Sequence, residues 1–265
     1  MVIDFHTHTY PDKIAKSTID FLVQKGGIKN HREGTLASLV ESMHRSGVDY
    51  SVSLPVVTKP SQTATVNRIS AELNGKDGVF FSGGIHPDTE NIEETLDFIK
   101  NAGLHGIKIH PDYQGVYFDD ERYIRILIGC AERGLYVTTH AGMDIGFPED
   151  THCTVDMIVR VLDELGPIMD DKLILAHMGS FDKPLEVLEK IAGRKVYLDT
   201  AVMLDRFPEE CTALIKKHGS DRVLFATDSP WADQAHYVEV LRSLDLTDEE
   251  KENILHKNAE RILGI

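Results

Sequence analysis

The sequence predicts an α/β fold, a (β/α)8 barrel of the TIM type formed as one domain over residues 1–265. Three observations predict it. Short apolar runs alternate with amphipathic stretches along the whole chain. The runs number eight. The residues able to do chemistry collect at the C-terminal ends of those runs, where such barrels carry their active sites. An open doubly wound sheet is the alternative arrangement, but it gathers its chemistry at one switch point, whereas polar side chains here end six of the eight runs.

The runs are "VIDFHTH", "YSVSLPV", "VFFSGGIHP", "GIKIHP", "YVTTHAG", "LILAHMG", "VYLDTA" and "VLFATDSP". Between them lie stretches with helical spacing and recognisable ends. "TLASLVESMHRSG" lines up Leu36, Leu39, Val40 and Met43 on one face and stops at Gly47. "NIEETLDFIKNAG" opens at Asn91, with Glu94 three residues on, and stops at Gly103. "DDERYIRILIGCAERG" stops at Gly134, and "THCTVDMIVRVLDELGP" ends in Gly-Pro. "TDEEKENILHKNAERIL" opens with a capping box from Thr247 to Glu250. An extra amphipathic segment between Pro11 and Gly26 is expected over the first strand. Strands that alternate with helices pair in parallel, because each crossover needs a helix.

Composition narrows the function. At 265 residues and 42% hydrophobic, the chain has ample material for a core. A net charge of −15 repels nucleic acid and anionic lipid, so neither is an expected partner. Cys130, Cys153 and Cys211 are scattered and odd in number, which points to a reducing, cytoplasmic setting. No basic n-region opens the chain and no apolar stretch approaches the ~20 residues of a membrane span.

The unusual residues sit at the strand ends. The first run ends in His6 and His8, the third in His86, and the fourth in Lys108 and His110; His140, His177 and Asp228 end the fifth, sixth and eighth. Side chains two apart on a strand share a face. Simple alternation therefore puts His6 and His8 on one face with Asp4 below them, and sends Ile3 and Phe5 toward the helices. It also turns Lys108 with His110, Thr138 with His140, Leu175 with His177, and Ala226 with Asp228 inward. One strand-end histidine reads as a hydrogen-bonding group, and H-x-H alone is a weak signal. One histidine on each of several strands, plus a terminal aspartate, forms a pocket of nitrogen and oxygen donors suited to a divalent metal, most often zinc. Without a metal, so many polar groups in a barrel mouth would cost desolvation for little return. His31, His44, His105, His218, His236 and His256 read as loop or helix-face residues, and His152 as a cap or substrate contact.

These motifs, in this order, resemble the amidohydrolase superfamily of metal-dependent barrels. More narrowly, the chain is similar to the amidohydrolase-2 family, which includes the aminocarboxymuconate-semialdehyde decarboxylases. "DFHTH", "GIKIHPDYQG", "THAG", "AHMGS", "VYLDTA", "VLFATDSPW" and "ILHKNAERILGI" carry the likeness over nearly the whole chain. The resemblance implies His6, His8, His140 and Asp228 as metal ligands. It implies His177 as an acid/base, or as a ligand to a second metal. Lys108 matches a strand-four lysine that some members carboxylate to bridge two metals; a cationic Lys108 would instead bind a substrate carboxylate, or pair with Asp4 or Asp228. One or two ions are therefore expected. A homodimer is common among lookalikes.

The function these expectations describe is a metal-dependent hydrolase that cleaves a C–N or C–O bond of a small-molecule substrate. Asp228 would serve first as base and then as acid, and His177 would face the oxyanion. His86 and His110 would orient substrate. Tyr113, Gln114, Arg206 and Trp231 are candidate pocket walls, and Asp144 a supporting group or cap. The same cage in the decarboxylase branch serves a lyase. A TatD-like phosphodiesterase shares H-x-H and the terminal Asp, but carries a glutamate where this chain reads "GIKIHP". A PHP-type phosphoesterase fits the "ATDSPW" ending poorly. A barrel that binds metal or ligand without turnover is the non-enzyme alternative.

Overall fold

The computed structural model describes all 265 residues. Its strands are β1 (Ile3–Thr7), β2 (Tyr50–Ser53), β3 (Val79–Phe81), β4 (Gly83–Gly84), β5 (Gly106–Ile109), β6 (Tyr136–Thr139), β7 (Leu173–Leu175), β8 (Tyr197–Asp199) and β9 (Val223–Leu224). All eight predicted strands are present; the third is broken at Ser82 into β3 and β4. Every pairing is parallel, in two sheets ordered β1-β2-β3 and β4 through β9. Single hydrogen bonds rather than a ladder cross the two seams. Ser82 N donates to Ser53 O at 3.1 Å, Phe5 N to Phe225 O at 2.9 Å, and Asp228 N to His6 O at 2.8 Å.

A helix follows each strand position, as the parallel crossovers demand. The predicted ends hold where they rest on backbone chemistry. Thr35 accepts from Ser38 N ahead of helix Leu36–Ser46, which ends at Gly47 with φ +64°. Thr247 and Glu250 close their capping box. Asn91 makes no side-chain cap bond before helix Ile92–Asn101, so its neighbours Glu93 and Glu94 help that end only through the helix dipole. The extra segment forms helix Asp12–Gly26 between β1 and β2. No helix is long and apolar enough to cross a membrane.

Two apolar layers hold the fold. One lies between strands and helices and includes Ile107, Ile109, Leu175 and Phe225. The other joins Ile3, Phe5, Val52, Ile174, Tyr197 and Leu224. These six come from five neighbouring strands, β7 through β9 with β1 and β2, and line the interior of the ring. Ile262 and Leu263 of the last helix plug the same floor.

That floor corrects two expectations of facing. Ile3 and Phe5 point inward, so Asp4 points outward; its carboxylate accepts from Thr227 Oγ1 at 2.6 Å and from Gln234 Nε2 at 2.7 Å, on the helix side. The histidines still reach the interior because the β1–β2 register slips between Asp4 and Thr7. This bulge inserts one residue and re-aims the side chains beyond it. Asp4 braces the slip, accepting from His6 N at 3.3 Å. Burial raises the Asp4 carboxyl to about 6, with its donors opposing. An outward Asp4 is no partner for Lys108. Leu175, likewise, lies in the outer layer and Ile174 inside. His177 is delivered by a turn through the left-handed region, at φ +58° for His177 and +53° for Met178, and not by alternation.

Candidate metal centre

His6, His8 and Asp228 meet at the C-terminal mouth. His6 Nε2 lies 3.2 Å from His8 Nε2. Asp228 Oδ1 lies 3.0 Å from His8 Nε2 and 3.5 Å from His6 Nε2. Asp228 is held there with φ +66°, a region that aspartate enters more readily than most residues.

The outer nitrogens fix what these atoms are. His8 Nδ1 lies 2.7 Å from the Leu54 carbonyl, which only accepts, so Nδ1 carries the proton. His6 Nδ1 lies 2.8 Å from the Asp199 carboxylate and donates for the same reason. In the neutral rings each Nε2 then presents a lone pair. Asp228 Oδ1 is buried with no hydrogen-bond donor. With both imidazoles neutral, three acceptor atoms face one another across 3.0–3.5 Å. A tetrahedral ion with bonds of about 2.1 Å spaces its ligands about 3.4 Å apart. The donor set fits such an ion in both chemistry and spacing.

The electrostatics agree. Burial, then the nearby Lys108 charge, push His6 well below the ordinary histidine range. Burial lowers His110 and His140 in the same way, His110 further through Lys108 and His140 through His110. Neutral imidazoles keep the lone pairs a metal needs. Burial pushes the Asp228 carboxyl up, but facing His6 and the His8 bond outweigh it, and the net displacement is downward. Lys108, fully buried with Nζ 3.4 Å from His6 Nε2, is pushed down to about 8 by burial against the pull of Asp199 and Asp228.

The remaining candidates lie at different depths. His177 Nδ1 faces the Ala201 carbonyl at 3.2 Å, and its Nε2 faces His140 Nδ1 at 3.0 Å. The His6 and His177 rings are 5.5 Å apart, so this pair adjoins the triad without entering it. His110 stacks on His140 at 4.2 Å with planes 10° apart. His86 is joined to Asp88, whose N donates to His86 Nδ1 at 3.1 Å, and not to the imidazole cluster. Gln114 is a buried brace rather than a pocket wall: it donates to Val57 O and Ile85 O and accepts from His110 N and Tyr123 Oη. His152 is not the cap of helix Val155–Leu165, a place Thr154 takes; it bonds Asp112.

Two residues at the site escape a strand-by-strand reading of histidines. Asp199 orients His6 and also accepts from His177 N at 2.9 Å and Ala201 N at 3.1 Å. Its signal was available: in "VYLDTA" it ends a strand two residues after inward Tyr197. Arg32 donates to the His8 carbonyl and, at 2.8 Å, to Ser229 Oγ, tying the β1 end to the segment after β9. It lies in a loop between helices, where no periodicity marks it.

Comparisons with known proteins agree with the fold. The chain is similar in structure to an uncharacterized TIM-barrel protein from Bordetella bronchiseptica, with TM-score 0.77 and 19% identity over 99% of this chain and 98% of that one. It is similar to 2,6-dihydroxybenzoate decarboxylase from Rhizobium, with TM-score 0.72 and 16% identity over 99% and 98%. It is also similar to a 5-carboxyvanillate decarboxylase from Novosphingobium aromaticivorans with bound manganese and 3-methoxy-4-hydroxy-5-nitrobenzoic acid, with TM-score 0.73 and 16% identity over 100% and 97%. At these identities the likeness shows the fold alone, an α/β barrel. No curated protein matches the chain. A family model described as Amidohydrolase matches residues 3–265, and the chain belongs to that family, the amidohydrolase-2 family.

Proposed function

We propose that this protein is a metal-dependent hydrolase of small molecules, with one divalent ion, zinc by preference, held by His6, His8 and Asp228. The observation that carries this reading is the convergence of two imidazole nitrogens and a carboxylate oxygen at the barrel mouth. When bound, the ion polarises a substrate carbonyl and brings the pKa of a coordinated water to about 7. The protein's residues do the rest. Asp228 takes the attacking water's proton and returns it to the leaving amine or alcohol. The proton shared by His140 Nδ1 and His177 Nε2 is the one available to an oxyanion forming beside His177. His140, the fourth ligand the resemblance implies, lies beside this group with its Nδ1 3.0 Å from His177 Nε2. Lys108, with Nζ 3.4 Å from His6 Nε2, offers a partner to an anionic substrate group.

A second reading is a decarboxylase. The whole-length structural likeness to two decarboxylases favours it, and the same residues would hold a carboxylated substrate. Metal analysis after loading with zinc or manganese, followed by a screen of amides, lactones, phosphodiesters and carboxylated aromatics, separates the readings. Release of an amine or alcohol supports hydrolysis, and release of CO2 supports the lyase. A metal-loaded protein silent on every class makes the barrel a binding module.

Asp199 gives a sharper test of the ion. Asp199→Asn keeps the shape but removes the carboxylate that fixes the His6 tautomer. Metal affinity should fall roughly 10–100-fold, measured by chelator competition. An unchanged affinity would mean that His6 is not a ligand.

A further inference from the structure

We infer that Arg32 is a positioning residue that sets the spacing of His8 and Asp228, by bonding the chain at the end of β1 to the segment that carries Asp228. This rests on the reading of the mouth as a metal centre.

Both of these residues lie beyond the ends of their strands. β1 ends at Thr7 and β9 at Leu224. Two backbone bonds still cross the seam there: Asp228 N donates to His6 O at 2.8 Å, and His8 N to Ser229 O at 2.7 Å. The facing segment has no backbone donor left for the His8 carbonyl. Ser229 N is turned to Thr227 Oγ1 at 3.1 Å, and Trp231 N donates to Asp228 O at 2.8 Å. Pro230, between them, has no N–H.

Arg32 supplies the missing donor. It lies in the loop between helices Asp12–Gly26 and Leu36–Ser46 and is only 7% exposed. Its Nη2 donates to His8 O and, at 2.9 Å, to Ser229 O. Its Nε donates to Ser229 Oγ at 2.8 Å, and its Nη1 to Thr35 O at 3.3 Å. One planar fork thus holds His8 and the residue that follows Asp228. The fork is itself anchored, because Thr35 caps the next helix and His31 N donates to Pro230 O at 2.7 Å.

The acceptors around the guanidinium are three carbonyls and one hydroxyl, with no carboxylate among them. A buried cation without an ion-pair partner is costly. What it provides here is charge-assisted bonding, roughly twice as strong as neutral bonding, at the seam between two of the three converging side chains. Arginine suits the task because its donors leave separate nitrogens of a rigid plane, whereas those of lysine leave one atom.

The test compares wild type, Arg32→Met, Ser229→Ala and the double variant. It reads zinc affinity by chelator competition, the visible bands of the cobalt(II)-loaded protein, which report coordination geometry, and the melting temperature. Arg32→Met should bind zinc about 10–100-fold more weakly and show altered cobalt bands. Ser229→Ala removes one arm of the fork, since Ser229 Oγ accepts from Arg32. It should weaken zinc binding by a few-fold alone and add nothing to Arg32→Met, the mark of a shared interaction. Wild-type affinity and bands in Arg32→Met overturn the inference even if the melting temperature falls, because Arg32 then only staples the fold. Additive losses in the double variant also overturn it. Should Arg32→Met not fold, Ser229→Ala decides: weaker zinc binding with altered bands supports the inference, and wild-type values overturn it. A wild type that binds neither ion overturns the metal reading and this inference with it, an outcome distinct from the others.

Discussion

Replacing His6 and His8 together with alanine should empty the barrel mouth of metal while leaving the barrel folded. Two of three converging ligand atoms are lost, and a lone carboxylate does not hold a transition ion against water. Metal per chain, measured by elemental analysis after loading, should fall from stoichiometric to background. The circular dichroism spectrum should keep its α/β shape, because the apolar floor and outer layer contain neither residue. Some stability should go, since buried Asp199 loses the imidazole at 2.8 Å; an orphaned buried polar group costs about 1–3 kcal/mol, and more if charged. Stoichiometric metal in the double variant would mean that the ion is held elsewhere.

Asp228→Asn should have the largest effect on catalysis. The amide keeps an oxygen for the ion, so metal content should drop less than in the histidine variant. It cannot accept and return a proton at neutral pH, and general acid–base groups contribute about 10²–10⁴ in rate. Turnover on the substrate class found by screening should fall by that order. Rates equal to wild type would remove Asp228 from the proton path and leave it a ligand only.

Much of this is legible in residue order alone. The eight strands, the inserted helix Asp12–Gly26 and the Thr247 capping box come from spacing and local chemistry, which act over a few residues. His6, His8 and Asp228 were legible because each ends a strand with a polar residue where apolar ones dominate. What misled was alternation applied without its exceptions. A bulge in β1 reversed Asp4, Ile3 and Phe5 while leaving His6 and His8 inward. A left-handed turn set His177 in place although Leu175 faces outward. Neither has a signature in residue order, because both come from how one strand registers against its neighbours.

By itself, then, the sequence determined the kind of fold, the end of the barrel where the polar side chains gather, and the donor types found there. Only the tertiary structure decided which donors touch. It brought His6, His8 and Asp228 within 3.5 Å of one another, assigned Asp199 to His6, and set His110 flat on His140. Periodicity reports which face of an element is buried, a short-range property. Coordination and tautomers depend on tenths of an ångström between segments as far apart as residues 6 and 228, and only packing the whole ring sets those distances.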